Sequence, residues 1–201
     1  MSIFAAILAL AVILAGLHML APDHWIPLTV VSSRLSFSHR RTYATAAFLG
    51  ILHAGTSATL ALIALFIGTV VAGRYENYLN YGAILLLVAV GLYFIVTGYS
   101  EHDAGNDVSG TSVSTVLTIS IFPDLALMPI VLAGASLSPV DMGTVIIAFA
   151  LASALSLTLV VYGAIRGFAR GLEKIPPRYI DYIMGAILLA TAAFVALADF
   201  L

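Results

Sequence analysis

Two histidines and an aspartate stand together in His18-Met19-Leu20-Ala21-Pro22-Asp23-His24, an H-x4-D-H pattern with a proline inside it. Imidazole nitrogens and a carboxylate are the donors that a first-row divalent cation of intermediate softness takes: nickel, cobalt, copper(II) or zinc. Potassium or calcium would need more oxygens, and copper(I) would need sulfur. On a straight helix the three groups cannot meet, because His24 lies about 120° and Asp23 about 140° around from His18. Pro22 changes the geometry. Having no N–H, it frees the carbonyl of His18, as Pro27 frees that of Asp23. An unwound turn there would let both imidazoles, Asp23 and a freed carbonyl face one point. The fourth candidate ligand is His53, in Leu49-Gly50-Ile51-Leu52-His53-Ala54-Gly55-Thr56-Ser57. Its neighbours Gly50 and Gly55 would let another helix approach closely. The competing roles are structural: interhelical hydrogen bonding for the histidines, and for Asp23 the fixing of an imidazole tautomer from outside the coordination sphere.

The elements that position these residues follow from composition. The 201 residues are 62% hydrophobic and 9% charged, with no cysteine and a net charge of −2. A soluble domain carries roughly 25% charged residues, so a polytopic membrane protein is indicated. Disulfides, thiolate metal sites and a basic nucleic-acid surface are excluded. A bilayer-crossing helix needs about 20 apolar residues. Breaking the chain at its charges leaves six such windows, near 2–31, 43–72, 77–99, 112–137, 142–165 and 178–200. Alternating segments of the transmembrane β-barrel type are absent. The expected fold is all-α, with six spans. No Lys or Arg precedes Arg34, so the first span is read as a permanent helix rather than a signal peptide. Arg34, Arg40 and Arg41 lie between spans one and two, and Arg166, Arg170, Lys174 and Arg178 between five and six, against Arg74 alone on the other side. The bias toward basic cytoplasmic loops puts both termini outside a cell membrane.

The two halves resemble each other. Pro22-Asp23 with Pro27 is matched by Pro123-Asp124 with Pro129. Arg74-Tyr75-Glu76-Asn77-Tyr78 and Gly82 to Leu86 recur as Arg178-Tyr179-Ile180-Asp181-Tyr182 and Gly185 to Leu189. Three spans per half force the second half to enter the membrane in the opposite sense, an inverted repeat with helices 1 and 4 broken at prolines. The expected organisation is a first repeat over 1–100, a cytoplasmic loop over 101–111 and a second repeat over 112–201. Asp124 then becomes a second-half contribution to the site, or a cap of the broken fourth helix. Met19 and Met128 are read as core packing, Trp25 as a packing or gating residue, and Ser57, Ser120, Ser153 and Ser156 as helix contacts. His39 and His102 are assigned to the loops.

The H-x4-D-H motif, written with proline before Asp23, resembles the signature of the nickel/cobalt permeases, the NiCoT and NicO families. The His53 segment looks like their second motif. The six-span layout also resembles the wider lysine-exporter-like superfamily. The resemblance implies that His18, Asp23 and His24 bind the metal, and that Ni2+ or Co2+ is a transported substrate rather than a tightly bound cofactor. NiCoT importers have eight spans, and some NicO exporters carry a long His-rich loop where this chain offers Glu101-His102-Asp103. The expected function is therefore a secondary transporter, not an enzyme, of divalent transition metals. With no P-loop pattern, the energy must come from an ion gradient or a partner. Protons compete with metal for imidazole, which makes proton coupling natural. The expected partners are the metal ion and the lipid bilayer, with no nucleic acid; a homo-oligomer is compatible with the sequence. The alternatives are a proton-coupled exporter of a small solute and an intramembrane aspartyl protease using Asp23 and Asp124, though neither aspartate has a Gly-x-Gly-Asp setting.

Overall fold

The computed structural model describes residues 2–71, 76–100, 123, 125, 127–167 and 177–198. Seven helices occupy them and no strand occurs among them: α1 (Ile3–Met19), α2 (Pro22–Arg34), α3 (His39–Val71), α4 (Glu76–Ser100), α5 (Leu127–Ala133), α6 (Pro139–Ile165) and α7 (Pro177–Ala198). Three of them, α3, α4 and α6, are long and apolar enough to cross a membrane. A fourth crossing arises if α1 and the 24–34 stretch of α2 form one span, bent by 48° at the break between them. The described residues are thus all helical in their regular structure, and three helices of spanning length and apolarity suggest a membrane protein.

The helix ends are written in the sequence. Ser2 caps α1, its hydroxyl accepting from the Ala5 N–H at 3.3 Å. Ser138 caps α6, accepting from the Asp141 N–H at 3.1 Å while donating to the Asp141 carboxylate at 2.8 Å. Pro139 follows at the first helical position, where its missing N–H costs nothing. The break between α1 and α2 has a simple cause. A residue preceding proline is pushed out of the helical region, and Ala21, before Pro22, sits at φ −59° and ψ 131°. The chain cannot continue helically through Ala21. It restarts with Pro22 as the first residue of α2.

The helices pair in a definite pattern. α3 lies along α6 and α4 along α7; α1 packs on α6, and α5 on α3 and α4. Both pairs run antiparallel. Near one end of the first, the Tyr43 and Tyr162 rings meet at 5.7 Å, and further along Gly50 faces Ala154. In the second, Gly91 faces Gly185 and Gly98 faces Arg178 and Tyr182. Small residues bring backbones into contact, the usual adhesive between helices in lipid. A Cβ added to Gly50 would lie 2.6 Å from the Ala154 Cα, and one added to Gly185 would lie 2.7 Å from the Gly91 carbonyl oxygen. Gly55 was expected to serve the same purpose as Gly50, but nothing lies within 4 Å of the position its Cβ would take.

Inside, the apolar core divides into two clusters. One gathers Ile7, Ala11 and Leu14 of α1, Ala54, Ala58 and Ala61 of α3, Val145 and Phe149 of α6, and residues of α4, α5 and α7. The other gathers Met19, Trp25, Leu28 and Val31 with Ala46 and Leu49 of α3 and Leu157, Val160 and Val161 of α6. Outside, Ile147, Leu151, Leu155 and Leu159 form an exposed apolar stripe along α6, four residues apart. A surface of this kind suits hydrocarbon rather than water.

Candidate metal centre

His18 lies one residue before the end of α1, His24 in the first turn of α2, and His53 within α3. The bend at Ala21 brings the first two together, and α3 supplies the third. The ring centroids are 4.6 Å apart for His18 and His24, 5.2 Å for His18 and His53, and 5.2 Å for His24 and His53. One nitrogen from each ring lies within 4.8 Å of the others, so the three can hold a metal ion. His24 and His53 are buried and His18 is half-buried. Three imidazole nitrogens at about 2.1 Å from one tetrahedral ion lie about 3.4 Å apart. Ring movements that shorten the separations by up to about 1.4 Å would therefore close the set around an ion.

The cluster occupies the seam between the two apolar clusters. Along α3 the order is Ala46 and Leu49, then His53, then Ala54 and Ala58; along α1 and α2 it is Leu14, His18, Met19, His24, Trp25 and Leu28. A polar layer therefore lies between hydrophobic layers. The carbonyl of His53 accepts from the hydroxyls of both Thr56 and Ser57, each at 2.8 Å.

Comparison with protein-family models, curated proteins and solved structures finds no match. The functional reading therefore rests on the residues themselves.

Two expectations about the break are revised. The carbonyl of His18 is not left open, because the Ala21 N–H donates to it at 3.0 Å across a tightened final turn. Trp25 does more than pack. Its indole Nε1–H donates to the carbonyl of Leu20 at 3.1 Å, and the side chain is fully buried. It thus fastens the start of α2 to the end of α1 and fixes the angle at which His18 meets His24. A Trp five residues after Leu20 was the available signal, but propensity does not encode such a contact. Trp25→Phe should destabilise the detergent-solubilised protein by about 1 kcal/mol, the net worth of a hydrogen bond lost from a part-buried carbonyl. Denaturant unfolding measures it, and an unchanged midpoint would contradict the fastening role.

Asp23 belongs to the first turn of α2, but its carboxylate lies outside the described residues, as do Asp124, Ser120, His102 and the 101–111 loop. Pro123 and Leu125 flank Asp124 in non-helical backbone ahead of α5, whose third residue is Pro129. Arg34, Arg40, Arg41 and Arg166 gather at one end of the bundle. There Arg41 stacks over Phe37 at 3.8 Å and Arg166 over Tyr162 at 5.0 Å.

Proposed function

We propose that this protein is a secondary transporter of divalent transition-metal cations, Ni2+ or Co2+ first, and not an enzyme. The observation that carries the reading is the convergence of His18, His24 and His53 at a helix break between two apolar layers. Three neutral imidazoles suit a late first-row dication. Asp23, next to His24 in the chain, supplies a carboxylate that would offset the ion's charge at membrane depth, where uncompensated charge is costly. Metal in this reading is cargo, and no resident cofactor is needed.

The wider architecture in this proposal is six spans in two inverted three-helix repeats, with the first broken at Pro22 and the fourth around Pro123 and Pro129. The packing pattern supports it. Exchanging the halves turns α2 on α6 into α5 on α3, and both contacts occur; it returns the α3–α6 and α4–α7 pairs to themselves. Such repeats place substrate near the midplane, at broken helices. The gathering of Arg34, Arg40, Arg41 and Arg166 at one end supports a cytoplasmic face there and both termini outside.

Imidazole must shed a proton to take metal. Affinity for Ni2+ is therefore expected to fall as pH is lowered, by about tenfold per pH unit for each imidazole that must lose its proton. Calorimetric titration of the purified protein across pH checks this. The same competition would couple transport to protons, so Ni2+ flux in proteoliposomes should quicken when an opposing proton gradient is imposed. Metal binding that is indifferent to pH would overturn the ligand assignment; flux indifferent to the gradient would overturn the coupling.

A further inference from the structure

Hydroxyl side chains in a helix ordinarily satisfy themselves on the carbonyl four residues earlier. Thr42, Thr45, Thr59, Thr144, Thr158 and Thr191 all do so, at 2.7–3.2 Å. Ser153 does not. It is wholly buried, at 0% exposure, and its Oγ has no hydrogen-bond partner. A bare hydroxyl in a protein core is an exception that calls for an explanation, a bound water or ion among them.

The position of Ser153 says which. On α6, Phe149 belongs to one apolar cluster and Leu157 to the other. Ser153 stands midway between them on the same helical stripe, as His53 stands between Leu49 and Ala58 on α3. The level matches as well. The backbone of Ser153 and Ala154 is what a Cβ at Gly50 would strike, with the Ser153 carbonyl carbon 3.0 Å away. Gly50 precedes His53 by three residues, about 4.5 Å along the axis. Because α6 runs antiparallel to α3, stepping from Ala154 to Ser153 moves toward His53. If this crossing needed only a small side chain, alanine would serve, as it does at Ala154 itself.

We propose that Ser153 is the second half's member of the metal layer: its hydroxyl accepts a hydrogen bond from a water carried by the ion that His18, His24 and His53 hold. This rests on the metal-transport reading and extends it to selectivity. Ions that keep water beyond four protein donors, Ni2+ and Co2+, gain from such an acceptor. Zn2+, whose four places are filled once Asp23 joins the three imidazoles, as in the reading above, gains little. Ser153 thus favours Ni2+ and Co2+ over Zn2+ as a positioning residue, without touching the metal.

The experiment is titration of the full-length protein in detergent with Ni2+ and Zn2+, together with the visible absorption of the Co2+ complex. Wild-type protein that binds none of the three sinks the metal reading and this inference together. Where wild type binds, Ser153→Ala is expected to lose about tenfold in Ni2+ affinity, at the low end for outer-shell partners, while Zn2+ affinity stays within about twofold. The Co2+ bands should strengthen as the ion drops toward four-coordination. Equal losses for both metals with an unaltered Co2+ spectrum would mark Ser153 as a packing residue and overturn the inference, as would no loss at all. Should Ser153→Ala fail to fold, Ser153→Gly carries the same comparison, since it also removes the hydroxyl and adds neither bulk nor a metal ligand.

Discussion

Replacing His53 by alanine is expected to reduce Ni2+ affinity by more than about 100-fold, since loss of an outer-shell partner alone costs about 10–100-fold. His53 is the one ligand that α3 contributes, it is 2% exposed, and its ring contacts both His18 and His24. Without it the remaining pair comes from one bent span, and an ion held there has no attachment to the rest of the bundle. Thermal unfolding separates this loss from misfolding. A ligand present at about 100 times its dissociation constant adds about 2.7 kcal/mol to stability. Wild type should therefore melt later with Ni2+, whereas His53→Ala should melt at one temperature with or without it. A variant that keeps the wild-type Ni2+ shift would remove His53 from the site.

The second large effect concerns two glycines five residues apart on one helix. Gly50→Ala places a methyl 2.6 Å from the Ala154 Cα and 2.9 Å from its nitrogen, so the backbones of α3 and α6 must separate. Overpacking of this kind costs about 1–3 kcal/mol, with the upper part expected where neither contact is a flexible side chain. Gly55→Ala meets nothing within 4 Å. There the methyl only restrains the backbone, and a gain of about 0.5–1 kcal/mol is expected. The pair of variants gives opposite signs on α3, read by denaturant midpoints in one detergent. Gly50→Ala as stable as wild type would refute the backbone contact. Metal affinity should follow stability in Gly50→Ala, because the displaced crossing lies one turn from His53.

Much of the centre was legible in the sequence for a physical reason. Pro22 dictates the conformation of Ala21, and that single residue decides that His18 and His24 can meet. The candidate donors were likewise plain as residue types, since imidazoles in hydrocarbon need a purpose. Partner choice between helices was harder to read. In a soluble helix the apolar stripe marks the inner face; here both faces are apolar, so periodicity does not show that Gly50 is packed and Gly55 open. For the same reason Ser153 looked like any small residue at a helix contact. Its difference lies in a hydrogen bond it does not make, which only the fold reveals. The fate of the His18 and Leu20 carbonyls depended on where Ala21 and Trp25 came to rest.

The crossing at Gly50 also has a mechanical meaning. The backbones of α3 and α6 come together at Gly50, one turn from His53, so a tilt of α3 about this contact would act on its two ends unequally. Val71, the far end of α3, is 21 residues or about 30 Å from it, whereas His53 is about 4.5 Å away. A tilt of about ten degrees would swing that end by about 5 Å and move His53 by less than about 1 Å. In the transport reading proposed above, such a tilt would move the helix end far more than the three imidazoles.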